Sequence, residues 1–198
     1  MKAVASVTPT PEPEESALVE AARAGDEAAF ARLFRCHCDR VRTHLTRLVG
    51  PVPERDDVVQ QIFLALHRAL PSYRGDAALA TLLYRMTINA AYDHLRARRR
   101  RRELALSERD VDLLLDRTVD GRDRASARAD LLRMFRLLEE FDARKRIAFV
   151  LVAVEGRSLA EAAALVGASP GAVKQRVLTA RRELTAILAR DARREEGS

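Results

Sequence analysis

The chain has 198 residues and a net charge of +6, with no Trp and aromatic residues at 5%. Its length holds one large domain or two small ones, and its Ala-, Leu- and Arg-rich composition favours helices over a sheet. The basic excess points to a polyanion partner without specifying a fold, no apolar run approaches the roughly 18 residues of a membrane span, and the start lacks the basic-then-apolar pattern of a secretory signal.

In chain order, residues 1–15 hold Pro9, Pro11 and Pro13 with Glu12, Glu14 and Glu15. Such a stretch cannot bury a core and is expected to be a mobile, disordered tail. Order is expected from Ser16, which suits the N-cap of a helix over residues 17–24. Gly25 fits the position past its end, and Asp26 suits the cap of the next helix, from 27 to about 49. That helix directs Phe30, Leu33, Phe34, Val41, Leu45 and Leu48 toward a core, and Gly50, Pro51 and Pro53 end it. Asp56 and Asp57 open a third helix, where acids complement the N-terminal dipole. Val59, Ile62, Phe63, Leu66 and Leu70 form its apolar stripe, which leaves Asp57, Gln60, Gln61 and His67 outside. Pro71 stops it, and residues 72–76 turn the chain.

The fourth helix, over residues 79–102, is the element around which the rest is organised. Leu79, Leu82, Leu83, Met86 and Ala90 follow the spacing of a buried stripe. Arg85, Asn89, Tyr92 and Arg96 recur on another face, with donors, an amide and a phenol suited to bases and phosphates. Arg98, Arg99, Arg100, Arg101 and Arg102 then follow without a break. Residues 16–102 read as a bundle of about four helices.

Residues 103–123 hold seven acids against three arginines, so 103–124 reads as an acidic linker. A second apolar pattern begins near Ala125. Leu131, Leu132, Phe135 and Leu138 suit one helix, and residues 143–154, with Ile147, Phe149, Val150, Leu151 and Val154, suit another. Ser158 and Glu161 form a capping box for a helix over 159–166. After a turn containing Gly167, Ser169 caps the last helix, with Pro170 at its favoured first position. Val173, Val177, Ala180 and Leu184 face inward there, and Lys174, Gln175, Arg176, Thr179, Arg181 and Arg182 face out. Residues 191–198 read as a frayed tail. The fold class is therefore all-α, with two small helical domains over 16–102 and 125–190.

Residues 158–189 have the build of a helix-turn-helix: a short first helix of small residues, a glycine turn, and a second helix with base-reading and phosphate-binding side chains near its start. The bland alternative is a helical hairpin with a solvated basic face. The arginine run alone reads equally as a solvated basic patch; joined to the Arg85–Asn89–Tyr92–Arg96 stripe it becomes a second nucleic-acid surface. Cys36, His37 and Cys38, with His44 further on, invite a metal or redox reading. Along a helix the two cysteines point about 200° apart, so they cannot share an ion without unwinding. No metal or cofactor is expected, and no nucleophile elbow or phosphate-binding glycine loop is visible.

With those residues in place, the chain resembles bacterial sigma factors of the sigma-70 family, in the compact extracytoplasmic-function (ECF) group. Residues 56–63, Asp-Asp-Val-Val-Gln-Gln-Ile-Phe, are similar to region 2.2. Tyr73-Arg74-Gly75-Asp76, Leu83-Tyr84-Arg85, Asn89 and Asp93-His94-Leu95-Arg96 are similar to regions 2.3 and 2.4. Ala148 to Leu151, Glu155-Gly156, Ala160 to Ala163 and Gly171 to Arg176 are similar to region 4. Leu82 stands where many members have Trp, and Gln175 where Ser is usual.

The resemblance implies a subunit without catalysis of its own that directs core RNA polymerase to promoters and assists −10 melting. Asp56, Asp57, Gln60 and Gln61 would bind core polymerase at the clamp helices of its largest subunit. Tyr73, Arg74 and Asp76 in the loop, with Arg85, Asn89 and Tyr92, would hold the −10 element, and Arg96, Arg99 and Arg100 its phosphates. Ser169, Ala172, Lys174, Gln175, Arg176, Thr179, Arg181 and Arg182 would read the −35 element, with this second domain on the polymerase flap. The acidic linker would follow the RNA-exit path. Promoter DNA, core polymerase and an anti-sigma factor are the implied partners, in the cytoplasm and without membrane insertion. On the residues alone two other classes are open: a helix-turn-helix regulator that binds operators as a dimer, and a metal or redox sensor built on Cys36 and Cys38.

Overall fold

The structure of the protein, a computed structural model, describes residues 13–75, 77–101 and 121–195. Among the described residues there are eight α-helices and no strand, in two compact units. The expectations for residues 1–12, for most of the linker and for 196–198 lie outside the described residues.

In the first unit, α1 spans Pro13–Arg23, α2 Glu27–Val49, α3 Arg55–Ala69 and α4 Leu79–Arg101, with a 3₁₀ turn at Leu70–Ser72 after α3. Helix α1 begins three residues before the expected Ser16, so Pro13, Glu14 and Glu15 are not part of a tail. Proline at the first position has no N–H to leave unpaired, and two acids in the first turn complement the dipole. Contacts to α2 add to this: Glu14 lies 3.6 Å from Arg32, and Glu15 Oε1 lies 3.2 Å from Nε2 of the buried His37. Asp26 caps α2 by accepting from the N–H groups of Ala28 and Ala29 at 2.8 and 3.0 Å. Gly50, at φ 83°, closes it in a conformation that side-chain-bearing residues rarely adopt.

The core of this unit is built from Leu33, Val41, Leu45 and Leu48 of α2 and Val59, Ile62, Phe63 and Leu66 of α3, all buried. Phe34 corrects the expectation: at 37% exposure it sits on the rim, its ring edge-on to Phe63 at 4.6 Å. The buried stripe of α4 is also rotated from the expected one. It runs through Leu79, Leu83, Thr87, Ile88, Ala91, Leu95 and Arg98, while Leu82, Met86 and Ala90 are only half-buried. Helix α4 packs against both α2 and α3, so its inward face has to be wide, and a narrow stripe fitted to its first turns drifts off centre. Thr87 fits that interior because its hydroxyl donates to the Leu83 carbonyl at 2.8 Å.

In the second unit, α5 spans Gly121–Glu139, α6 Ala143–Phe149, α7 Leu159–Val166 and α8 Pro170–Glu195. Helix α5 starts inside the expected linker, where Arg and Ala residues are strong helix formers. Asp142 caps α6 by accepting from the Lys145 N–H at 3.0 Å. The single helix expected over 143–154 is instead α-helical to Phe149 and π-helical over Val150–Val154. There the Glu155 N–H donates to the Val150 carbonyl five residues back at 2.9 Å. This wider turn leaves Val154 45% exposed rather than in the core. Phe135, Leu138, Ile147, Val150 and Leu151 pack with Ala162, Ala163, Val173, Val177 and Ala180. Two ion pairs pin α6: Arg146, 1% exposed, to Glu139 of α5 at 3.1 Å, and Lys145 to Glu183 of α8 at 2.8 Å.

Candidate nucleic-acid interface

In the first unit, Asp56, Asp57, Gln60 and Gln61 are all exposed along α3. Their environments differ. Asp56 Oδ1 accepts from Arg42 Nε at 3.2 Å and from Nε and a terminal nitrogen of Arg55 at 3.1 and 3.0 Å. Burial alone would raise its pKa, but the hydrogen bonds from Arg55 and Arg42 outweigh that and hold it below the usual carboxylate range. Asp57 turns the other way, into a groove between α3 and α4. That groove is lined by Asp57 and Gln61 on one wall and by Met86, Asn89, Ala90 and Asp93 on the other. Residues assigned from sequence to two different partners thus share one surface depression.

On α4, Arg85, Asn89 and Arg96 are exposed and Tyr92 is half-buried, with the Arg96 guanidinium 5.5 Å from the centre of the Tyr92 ring. At about 100° per residue these four lie within one narrow sector, away from the buried stripe. At an exposed site such a cation over a ring face is attracted by about 0.5–1 kcal/mol. The arginine run is not uniform. Arg98 is 6% exposed and belongs to the interior, Arg99 and Arg100 are exposed, and Arg102 lies outside the described residues. In the loop before α4 the Tyr73 hydroxyl donates to the Ala77 carbonyl, and Gly75 takes φ 78° between them. Arg74 is exposed on that loop, and Asp76 lies outside the described residues.

The second unit presents a helix-turn-helix. Ser158 accepts from the Glu161 N–H at 3.2 Å, and Glu161 accepts from the Ser158 N–H at 2.8 Å. The hydrogen bonds from Ser158 lower the Glu161 pKa. Gly167 ends α7 in the left-handed region, φ 63° and ψ 42°. Ser169 accepts from the Ala172 N–H at 3.2 Å and so starts α8. Ala162 and Ala163, 0% and 3% exposed, let α7 and α8 approach closely. Ser169, just before α8, and Lys174, Gln175, Arg181 and Arg182 on it are exposed, and Ala172, Arg176 and Thr179 are half-buried. Lys174 and Gln175 stand within the first two turns, where a recognition helix meets base edges.

Two side chains on these faces escaped the sequence reading. Leu64, 49% exposed, lies on α3 among Asp57, Gln60 and Gln61, and Leu178, 38% exposed, lies on α8 among Lys174, Gln175 and Arg182. Their helical positions, one turn on from the polar residues, were the available signal. Of the cysteines, Cys36 is exposed and Cys38 buried. Burial pushes the Cys38 thiol pKa up, away from the thiolate that ligation needs. Among the described residues no group of three or more His, Cys, Asp or Glu is placed to hold a metal ion.

Residues 33–101 match the family model of Sigma-70 region 2, and residues 131–184 match Sigma-70, region 4. The chain is 34% identical over 178 residues to the ECF RNA polymerase sigma factor SigM of Mycobacterium tuberculosis, covering 89% of this chain and 86% of that protein. It is 33% identical over 186 residues to the RNA polymerase sigma factor CnrH of Cupriavidus metallidurans, covering 91% and 97%. A solved structure of CnrH in complex with the cytosolic domain of CnrY is similar at TM-score 0.58 and 29% identity, covering 90% of this chain and 99% of that one.

Proposed function

The chain belongs to the sigma-70 family, as an RNA polymerase sigma factor of the extracytoplasmic-function group, and we propose a division of labour among its surfaces. Asp57, Gln60 and Gln61 on α3 contact the clamp helices of the polymerase, and Asp56 holds α3 to α2 beside them. The loop with Tyr73 and Arg74, together with Arg85, Asn89 and Tyr92, takes the −10 element, and Arg96, Arg99 and Arg100 hold its phosphates. Helix α8 reads the −35 element in the major groove. The first unit is the −10 and polymerase domain, the second the −35 domain, and the segment between them the linker.

The observation that carries this reading is the α4 stripe. Four hydrogen-bonding side chains share one face turned from the core, on the helix that also walls the groove with Asp57 and Gln61. Extruding a base from the stack costs a few kcal/mol. A small helical unit meets that cost only when phosphate contacts, polymerase docking and a second DNA contact add to it. Two linked sites gain affinity only at the right separation, so promoter spacing becomes part of the selectivity. An operator-binding regulator needs none of the α3 and α4 surface and is not favoured.

The chain supplies no chemistry; the polymerase does. It works where the polymerase is, in the cytoplasm, and among the described residues no helix is long and apolar enough to cross a membrane. The solved CnrH structure includes the cytosolic domain of CnrY, and a separate anti-sigma factor is the control proposed for this chain.

In vitro transcription tests the reading. Core polymerase with this chain should initiate at a defined subset of promoters from a genomic library, and the chain alone should bind duplex DNA weakly. Tight, specific duplex binding without polymerase would overturn it.

A further inference from the structure

The outward face of α8 carries one residue unlike its neighbours. At about 100° per residue, Gly171, Gln175, Leu178 and Arg182 lie opposite Val173, Val177 and Ala180. The latter three are 0%, 5% and 0% exposed, whereas Leu178 is 38% exposed. Lys174, Gln175, Arg181 and Arg182 around it are exposed as well. A lone leucine on a surface is ordinary. This one stands among Lys174, Gln175, Arg181 and Arg182, three cations and an amide, within one turn of Gln175.

Base-pair edges in the major groove offer donors, acceptors and one apolar group, the thymine 5-methyl. Along the helix Leu178 follows Gln175 by about 4.5 Å, little more than one base-pair step of about 3.4 Å. A side chain there meets a base next to, or one beyond, the one that Gln175 meets. Against an apolar side chain, thymine buries its methyl group. Cytosine would instead lose water from an amino donor that gains no acceptor in exchange.

We infer that Leu178 is a specificity-determining residue that covers the 5-methyl group of a thymine in the −35 element, within two base pairs of the position met by Gln175. The inference rests on the reading of α8 as the −35 reader. Gln175, whose amide suits an adenine edge, supplies the polar half of the selection and Leu178 the apolar half.

Replacing thymine by uracil removes that methyl and nothing else. Holoenzyme made from core polymerase and the full chain first selects promoters from a library randomised upstream. Each thymine of the selected −35 element is then changed to uracil, and open-complex formation is compared on the two templates. With the native chain, uracil at one position should lower complex formation about three- to ten-fold. With Leu178→Ala the two templates should behave alike, and with Leu178→Met the difference should return. Comparing templates within each variant cancels any change in the variant's own folding or assembly. Uracil without effect at every position, a selected element with no thymine, or an undiminished effect in Leu178→Ala each overturns the inference. A selected pool with no −35 preference at all overturns the function proposed for α8, and this inference with it.

Discussion

Arg42 donates from Nε to Oδ1 of Asp56 at 3.2 Å, and so joins the middle of α2 to the first turn of α3. The same oxygen accepts from Arg55, and these bonds, against the opposing effect of burial, hold the Asp56 pKa down. A carboxylate whose pKa is lower folded than unfolded contributes stability above its unfolded value, about 4, and loses it as pH falls through the folded one. Asp56→Asn should therefore lower stability at neutral pH. With the side chain 63% exposed, the loss should stay within about 1 kcal/mol. Urea titrations of both proteins should differ at pH 7 and converge as the pH is taken below about 4. A difference that grows on acidification would contradict the assignment.

Asp57 and Leu64 test the polymerase face. Both are exposed on α3 with Gln60 and Gln61, and Leu64, 49% exposed, lies between those glutamines and the exposed Arg68 one turn further on. Interfaces concentrate their energy in a few central side chains ringed by polar ones. Asp57→Ala with Gln60→Ala should weaken core polymerase binding about ten-fold or more, and Leu64→Glu should do so alone. The thermal midpoint of the chain should change little, because none of the three side chains is in the core. Anisotropy of labelled protein titrated with core polymerase measures this, and undiminished binding by Leu64→Glu would remove it from the interface.

Most caps and turns were legible because they rest on local chemistry, whereas the cap expected at Ser16 was not, since α1 starts at Pro13. Asp26, Ser158, Glu161, Gly167 and Ser169 act where their side chains and backbone freedom predict. The inward face of α4 was not legible, because it depends on two neighbours at once. Its buried positions include Thr87 and Arg98, which no apolar pattern selects. The π-helical turn at Val150–Val154 was hidden for a similar reason, since an apolar run reads alike in either helix. Candidate site residues were chosen where they are polar on an apolar background. Leu64 and Leu178 were placed on neither face, because an apolar residue off the main stripe carries no polar chemistry to mark it until its exposure is known.

The ion pairs of α6 should differ in worth. Arg146 is 1% exposed and Glu139 15%, whereas Lys145 is 18% exposed and Glu183 41%. Taking one partner from a buried pair leaves a charge in a poor dielectric, and a half-exposed pair is screened by water. Glu139→Ala should cost about 3–5 kcal/mol and Glu183→Ala about 1 kcal/mol or less. Chemical denaturation of the full chain followed by circular dichroism gives both numbers. Equal costs would mean that water reaches Arg146 as readily as Lys145.

Lys174 and Arg176 distinguish contacts that hold DNA from contacts that read it. Lys174 is exposed in the second turn of α8, and Arg176, two residues on and so about 200° round the helix, is half-buried on another side. A lysine on a phosphate adds affinity to every sequence alike and releases about one counterion, and an arginine on a base edge adds affinity to one sequence. Lys174→Ala should therefore weaken holoenzyme binding to promoters with different −35 elements by similar factors. It should also reduce the slope of log affinity against log salt by about 1. Arg176→Ala should relax selection at one position of the element and change the slope less. Both variants should assemble with core polymerase as the native chain does, since the contacts proposed for the clamp helices lie on α3. Salt titrations of open-complex formation on two promoters separate the cases. If Lys174→Ala altered sequence preference and left the salt slope intact, the lysine would be a base reader and not a phosphate contact.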